Sequence, residues 1–287
     1  MKKITVTAIA LSMAMAMTGC SGNSTETTAA SEAETTAAET SAAETSAAET
    51  SAAETSAAET SAAETSAAEA GEVSVMSYEE YMAAELDSKV VIEASVQAKQ
   101  SWWEDKATVY AQDEDGAYFL YNMACSKEDY EKLVPGATIR VTGYKTEWSG
   151  EVEIIDATFE FVDGEFIAEP FDATELLGKD ELIDHQNQLA TFKGLTVEPA
   201  GKDADGNDVA FLYNWDGSGS EGDDLYFNVS YNGQTYSFVV ESYLCDASSD
   251  VYAAVKALEI GQTIDAEGFL YWYEGVNPHI TSVTVAE

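Results

Sequence analysis

Five tryptophans stand close to acidic residues, a combination that can bind sugars or cations. An indole face can stack on a sugar ring or attract a positive charge, and a neighbouring carboxylate can accept hydrogen bonds or balance that charge. The candidate ligand-binding residues are Trp102, Trp103, Trp148, Trp215 and Trp272. The alternative is that two or three of these rings close the ends of small barrels and belong to the core.

An acidic stretch in the second half has the alternating oxygen ligands that a hard cation such as Ca²⁺ prefers. It consists of Asp203, Asp205, Asn207 and Asp208. However, Gly206 is not where an EF-hand places its turn glycine, and Asn214 stands where the bidentate glutamate would be. We therefore predict no cofactor, and a Ca²⁺ site stays open as the alternative to a solvated turn.

Composition argues against several functions. The chain has two histidines and three cysteines, too few for the usual multi-ligand zinc or haem site. His185 and His279 lie far apart, and no HExxH motif or glycine-rich phosphate loop occurs. We predict that the protein is not an enzyme. With 53 acidic against 13 basic residues, the net charge is -40. This charge repels phosphate backbones, so the sequence predicts no nucleic-acid partner.

The N-terminus reads as an export signal. Two lysines precede an apolar run that is too short to span a bilayer, and Met17-Thr18-Gly19-Cys20 follows. These four residues resemble the lipobox of bacterial lipoproteins, in which the cysteine thiol receives a diacylglycerol. The resemblance implies a signal peptide over residues 1–19 and lipidation of Cys20, with acyl chains such as palmitate holding the protein on the extracytoplasmic face of the cell membrane. The alternative is an ordinary signal peptide cut nearby.

Residues 20–71 are predicted to be a tether. No Leu, Ile, Val, Phe, Tyr or Trp occurs from Ser21 to Gly71, and the unit AAETS recurs six times over residues 37–66. Such a segment has no apolar side chains to bury, so nothing offsets the entropy lost on ordering it. We expect a low-complexity spacer that is disordered or partly helical.

The rest of the chain is predicted to be mainly β, with two tandem OB-fold-like five-stranded barrels over residues 72–166 and 167–287. In each half, three strands are followed by one short helix and two further strands, the order of an OB fold. The predicted strands are 89–97, 108–111, 118–121, 138–144 and 151–161, then 189–197, 225–231, 235–241, 263–271 and 279–285. The helices are 126–133 and 250–258, and short helical segments at 78–86 and 173–177 introduce the halves.

The two halves match in detail. Cys125 and Cys245 each stand just before the helix, and Gly136 corresponds to Gly261. This repetition favours two barrels over a β-sandwich. Equivalent positions in separate barrels should be too far apart for a disulfide, so we expect two free thiols.

The layout resembles a family of uncharacterised lipoproteins of Gram-positive anaerobes with tandem OB-fold-like domains. The residues that carry the resemblance are SWWEDKATVYAQDEDGAYFLY (101–121), FLYNWDGSGSEGDDLYFNV (211–229) and GFLYWYEGVNPHITSV (268–283). The resemblance implies the fold and a surface location, and it brings no catalytic residues. The leading hypothesis is a cell-surface module that binds a glycan, a peptide or a cationic small molecule. The alternative is a structural or assembly protein that docks onto a membrane or envelope partner.

The anchor can be tested by replacing Cys20 with serine. Without the thiol no lipid can be attached, so Cys20→Ser should move the protein from the membrane fraction to the soluble fraction. Cell fractionation with immunoblotting measures this. Retention of the unmodified variant on membranes after a high-salt wash would defeat the hypothesis.

Overall fold

A computed structural model describes residues 74–286 of the chain. These residues fall within one compact unit, Ala67–Glu287. The predicted signal peptide, the lipidation site Cys20 and the tether of residues 20–71 lie outside the described residues. Across residues 74–286, every helix is too short or too polar to cross a membrane.

The first barrel combines five strands with two short helices. Its elements are α1 (Tyr78–Ala83), β1 (Lys89–Lys99), β2 (Lys106–Gln112), β3 (Ala117–Ala124), α2 (Lys127–Lys132), β4 (Ala137–Trp148) and β5 (Glu151–Glu165). The strands close in the order β1-β2-β3-β5-β4. Strand β1 pairs with both β2 and β4, and a short parallel contact joins β3 to β5. This strand order is that of an OB fold.

The second barrel repeats this arrangement. Its elements are β6 (Phe171–Asp172), two 3₁₀ helices (Thr174–Leu176 and Asp180–His185), β7 (Leu189–Glu198), β8 (Gly201–Lys202), β9 (Asp208–Val209), β10 (Phe211–Tyr213), β11 (Leu225–Tyr231), β12 (Gln234–Val240), α3 (Asp250–Lys256), β13 (Thr263–Phe269) and β14 (His279–Val285). Pairing of β11 with β7 closes the ring β7-β11-β12-β14-β13. Strands β8 to β10 belong to the insertion between the first two barrel strands.

The predicted fold class, two OB-fold-like five-stranded barrels each with one helix between the third and fourth strands, is confirmed. The β-sandwich alternative is wrong, because each set of strands closes on itself. The hairpin of β4 and β5 is longer than predicted, and it bends at a register shift between Thr142 and Tyr144. Gly143 lies at this bend, where a Cβ would stand 2.6 Å from Ile154 Cγ2. The absence of a side chain therefore lets the two strands stay paired through the bend.

A buried lysine fastens α1 beneath the first barrel. The Lys145 Nζ donates hydrogen bonds to the carbonyl oxygens of Tyr81, Met82 and Ala84 at 3.0, 2.7 and 3.0 Å. These carbonyls lie at the C-terminal end of α1, where carbonyl groups lack hydrogen-bond donors from within the helix. The helix dipole also places a partial negative charge at this end. Burial lowers the pKa of Lys145. The three carbonyls thus compensate for the loss of water around the ammonium group.

An aromatic core joins the two barrels. Tyr110 of β2 stacks on Phe269 of β13 with ring centroids 4.4 Å apart, and its hydroxyl hydrogen-bonds to His279 Nδ1 at 2.5 Å. Phe119 of β3 meets Tyr271 edge-on at 5.2 Å. All five side chains are buried. The outer face of β2 and β3 is therefore covered by the second barrel.

Backbone hydrogen bonds between loops support this contact. The Ser101 N–H donates to the Tyr243 carbonyl at 2.7 Å, and the Glu274 N–H donates to the Ser149 carbonyl at 2.8 Å. Each bond links a loop of one barrel to a loop of the other. The relative orientation of the barrels is thus set by directional bonds as well as by apolar packing.

The aromatic core should contribute strongly to stability. Phe269 is buried against Tyr110, so Phe269→Ala should lower the free energy of unfolding by about 3–5 kcal/mol, the range for large-to-small core substitutions. Phe161→Ala is the control, because Phe161 is 39% exposed. Denaturant unfolding compares the two variants. Equal losses would show that the contact between the barrels adds nothing beyond surface packing.

Candidate functional site

An open cleft of about 1080 Å³ lies between the two barrels. One wall comes from β2, β3 and the β1–β2 loop of the first barrel. The other comes from β11, β12, the β7–β11 insertion and the β13–β14 loop of the second. OB folds bind their ligands on the second and third strands, on the loop between strands one and two, and on the loop between strands four and five. The docked barrels therefore turn their binding faces towards a common space, which we call the aromatic cleft.

Aromatic side chains from many separate segments line this cleft. They are Trp103, Phe119, Tyr121, Trp148, Trp215, Tyr226, Tyr243, Tyr271 and Tyr273. Trp103, Trp148 and Trp215 are 64%, 53% and 75% exposed. Rings that plug a barrel end would be buried, so these three are available to a ligand.

Each of the three tryptophans is placed by a different loop or strand end. Trp103 lies in the β1–β2 loop, where its backbone exchanges two hydrogen bonds with Lys106, at 3.2 and 2.9 Å. Trp148 ends β4 and its ring packs against Tyr273, with centroids 5.1 Å apart. Trp215 lies in the insertion after β10. The contact between Trp148 and Tyr273 joins the β4–β5 loop region of one barrel to the β13–β14 loop of the other.

The other two predicted tryptophans lie elsewhere. The Trp102 Nε1–H donates to the Cys125 carbonyl at 3.0 Å, and the Lys127 ammonium lies 5.9 Å from the ring centroid. Trp272 packs against the core of the second barrel. The reason is the alternation of side chains along extended backbone, which turns neighbours to opposite sides. Trp103 faces the cleft while Trp102 does not, and Trp272 points away between two tyrosines that line it.

Sequence reasoning missed Tyr226 and Tyr243, two tyrosines of the cleft wall. Tyr226 and Asn228 project outward from β11, while Leu225, Phe227 and Val229 alternate with them in the core. The alternation was visible in the sequence. What the sequence did not show is that this outward face meets the other barrel.

The cleft is acidic. Its charged lining consists of Glu104, Asp224, Glu241 and Glu274 with one cation, Lys106. The Glu241 carboxylate accepts hydrogen bonds from the Tyr243 and Leu244 N–H groups at 3.1 and 2.9 Å. Burial, aided by the charge of Asp224, raises the pKa of Glu241 to about 7. Glu241 therefore changes its charge close to neutral pH.

A neutral histidine forms part of the base of the cleft. His279 stacks on Tyr271 with centroids 4.1 Å apart and shares the hydrogen bond with Tyr110. Burial lowers the pKa of His279 to about 3. At neutral pH the ring thus adds no positive charge to balance the acidic side chains.

Two further glutamates lie buried behind Tyr271. The Glu151 Oε2 accepts a hydrogen bond from the Trp272 N–H at 2.9 Å, while its Oε1 has no partner among the described residues. Burial raises the pKa of Glu151 well above its ordinary value and that of Glu153 to about 7. Burial therefore favours the protonated form of Glu151, which is held at the contact between the barrels.

The acidic stretch of the second barrel forms a hydrogen-bonded turn. The Asp203 Oδ1 accepts hydrogen bonds from the Asp205 and Asn207 N–H groups, and its Oδ2 accepts one from Asn207 Nδ2. Asp208 pairs with Lys202 at 2.7 Å. Within residues 74–286, no group of three or more His, Cys, Asp or Glu side chains is arranged to hold a metal ion. These oxygens serve the turn, and a Ca²⁺ site gains no support from them.

The two described cysteines are free thiols. Cys125 is buried and Cys245 is half-buried, and each precedes the helix of its barrel. Burial raises the pKa of both thiols to about 11. Neither is therefore activated as a nucleophile at neutral pH.

The chain matches no family model and no curated protein. Among solved structures it is similar to HIN domains. The tetrameric p202 HIN2 matches at 14% identity with a TM-score of 0.30, covering 71% of this chain and 96% of that one. A murine DNA-binding protein bound with double-stranded DNA matches at 10% identity with a TM-score of 0.31, covering 69% and 96%. The Ifi202 HINa domain in complex with 20-bp double-stranded DNA matches at 12% identity with a TM-score of 0.31, covering 69% and 98%.

These matches contradict the prediction that nucleic acid is excluded as a partner, because two of these similar domains were solved with double-stranded DNA. The prediction was drawn from the net charge of the whole chain. Net charge is a property of composition, whereas binding depends on the local surface that a fold presents. We withdraw the exclusion, and at this degree of similarity the matches do not say what this chain binds.

Glu153 should make the protein less stable as the pH rises. The folded state keeps the Glu153 proton up to a pH of about 7, while the unfolded chain loses it near the ordinary value of 4.5. Between these values the folded state binds more protons, so the free energy of unfolding falls with increasing pH. Glu153→Gln should remove this part of the slope, measured by denaturant unfolding at several pH values. Glu165→Gln, on the same strand but exposed, is the control, and an equal effect of both variants would refute the assignment.

Proposed function

We propose that this protein is a membrane-anchored, extracytoplasmic ligand-binding module whose binding site is the aromatic cleft. The observation that carries the proposal is the convergence of Trp103, Trp148 and Trp215 on one concave surface, each more than half exposed. Exposed indoles gathered in a cleft are typical of ligand-binding surfaces, whereas isolated exposed apolar residues need no such explanation.

The size of the cleft favours an extended ligand. Pockets for drug-sized molecules have volumes of about 300–1,000 Å³, and this cleft, at about 1080 Å³, is slightly larger. A short glycan or peptide could contact several rings at once. Each stacked aromatic pair contributes roughly 0.5–1.5 kcal/mol beyond its buried area. Several such contacts would give useful affinity without a deep pocket.

The docking of the barrels supports binding by holding the cleft open in one shape. Tyr110, Phe119, Phe269 and Tyr271 form a buried core directly beside it. A site that is already ordered loses less entropy when its ligand binds. Both barrels supply essential walls, so the complete site belongs to the pair and not to either barrel alone.

The membrane anchor is supported by the sequence around Cys20, and the tether by the repeats that follow it. A spacer between the anchor and the cleft would allow the cleft to search the space above the membrane for its ligand. We propose a binding role without catalysis, and anchoring at the cell surface is part of the same proposal.

The alternative, a structural protein that docks onto an envelope partner, calls for a flat exposed apolar face. The three exposed tryptophans instead line a concave cleft with polar and acidic side chains among them. This geometry favours the binding module.

Binding can be tested on glycan, peptide and small-molecule arrays with the detergent-solubilised full chain. Trp103→Ala, Trp148→Ala and Trp215→Ala should each weaken binding about 2- to 10-fold, as expected for the loss of one stacked ring. Their thermal unfolding should change little, because the rings are exposed. Trp102→Ala is the matched control, since Trp102 does not line the cleft and its removal should leave affinity unchanged.

Two results would contradict the proposal. Undiminished binding by all three cleft variants would place the ligand elsewhere. Severe destabilisation of all three would show that the rings belong to the core.

A further inference from the structure

The aromatic cleft contains more negative charge than the protein itself neutralises. Within residues 74–286, no salt bridge connects its acidic side chains to a lysine or arginine. The acids concerned are Glu104, Asp224, Glu241 and Glu274. Low-dielectric walls strengthen the field of such charges and raise the local concentration of cations. The cleft therefore attracts positively charged molecules before any specific contact forms.

Two of these acids stand side by side at the end of one hairpin. Leu225, the first residue of β11, pairs with Val240, the last residue of β12, so Asp224 just before β11 and Glu241 just after β12 lie next to each other. Like charges at facing positions destabilise a sheet. Ser242 donates two hydrogen bonds to Asp224, and backbone N–H groups donate to Glu241, but no lysine or arginine of residues 74–286 forms a salt bridge with either acid. A bound cation would relieve the repulsion between the two acids.

Each of the two acids, Asp224 and Glu241, has a tyrosine close by in the chain. Tyr226 comes two residues after Asp224, and Tyr243 comes two residues after Glu241. Both tyrosines line the cleft together with Tyr271, and Tyr243 is 61% exposed. The negative face of an aromatic ring attracts cations, and carboxylates close by add to this attraction.

The hydrogen-bonding groups of the cleft also favour a ligand that donates hydrogen bonds. The Asn228 Nδ2 is bound to the Pro199 carbonyl and the Asn277 Nδ2 to the Ser237 carbonyl, both at 3.0 Å. One of the two N–H donors of each amide is therefore already used, while carboxylate oxygens stay available. A neutral sugar needs donors and acceptors alike, whereas a cationic nitrogen needs acceptors and ring faces.

From these contacts we infer that the ligand of the aromatic cleft carries a positively charged nitrogen, which binds beside Glu241 and Asp224 among Tyr226, Tyr243 and Tyr271. The inference rests on the proposed function of the cleft and names the chemical class of its ligand. The three exposed tryptophans would contact the remainder of the ligand.

The probes for the test are choline and 3,3-dimethyl-1-butanol, which have the same shape but differ by one positive charge. We expect choline to bind the full chain at least about tenfold more tightly than its neutral isostere, because only choline gains the ion pair and the cation–π attraction. Titration followed by tryptophan fluorescence and by the indole N–H signals in NMR measures both affinities. Equal affinities, or no binding of choline, would overturn the inference.

A pair of variants separates the cleft from the general negative field of the chain. Glu241→Gln removes one charge in the cleft, and Glu114→Gln removes one at an exposed turn of the first barrel. Choline affinity should fall about tenfold in Glu241→Gln and stay unchanged in Glu114→Gln, with thermal unfolding confirming that both variants fold. Equal effects of the two variants would assign the attraction to the whole surface and overturn the inference.

The pH gives a second readout. Groups close to Glu241 are Asp224 just before β11, Tyr226 of β11, Tyr110 of β2, Tyr271 and Cys245. The tyrosine and cysteine groups have raised pKa values, about 12 for Tyr226 and about 11 for Cys245. Glu241 therefore becomes charged at a lower pH than these groups. Because the pKa of Glu241 is about 7 and the uncharged form should bind about tenfold more weakly, choline affinity should rise about fivefold from pH 6 to pH 8. This rise should vanish in Glu241→Gln, and its persistence there would contradict the assignment.

Failure of the inference and failure of the proposed function give different results. If a neutral glycan binds in a manner that depends on Trp103 while choline does not, the cleft is the binding site but its ligand is not cationic. If Trp103→Ala leaves all binding unchanged, the proposed site itself is wrong.

Discussion

The stacking of Tyr110 on Phe269, with the hydrogen bond from Tyr110 to His279, is the contact on which the rest of the structure depends. It buries the outer surface of β2 and β3 against the second barrel. Without it, the two sets of loops would face solvent independently. With it, the loops of both barrels border a single cleft whose width is set by the rings that separate the barrels.

Docking of the barrels buries glutamate side chains, and burial of a charged carboxylate is unfavourable. Glu151 and Glu153 are buried where the barrels meet, and Glu241 is half-buried on the cleft floor. Burial raises the pKa of all three. Holding protons is less costly than keeping unpaired charges in a poorly solvated place. The contact between the barrels and the charge of the cleft are therefore linked through pH.

The proposed function rests on the same arrangement. A single OB fold offers one binding face, and here two such faces meet across a shared space. Trp103 and Trp148 come from one barrel and Trp215 from the other. The acids Asp224 and Glu241 lie on the opposite wall from Trp103. A ligand in the cleft would thus meet aromatic faces on both sides, and the neighbouring acids Asp224 and Glu241 on one.

The sequence by itself determined the two barrels, because the alternation of Leu225, Phe227 and Val229 with polar neighbours is a local property, and because serines such as Ser126 and Ser249 mark the helix starts. It also offered the loop tryptophans as candidate ligand-binding residues. Only the tertiary structure decided which ones: Trp103 reaches the cleft, and Trp102 bonds to Cys125 instead. The physical reason is that a cleft between two barrels depends on how they dock, and docking rests on contacts such as Tyr110 with Phe269, which are distant in the chain and leave no local pattern.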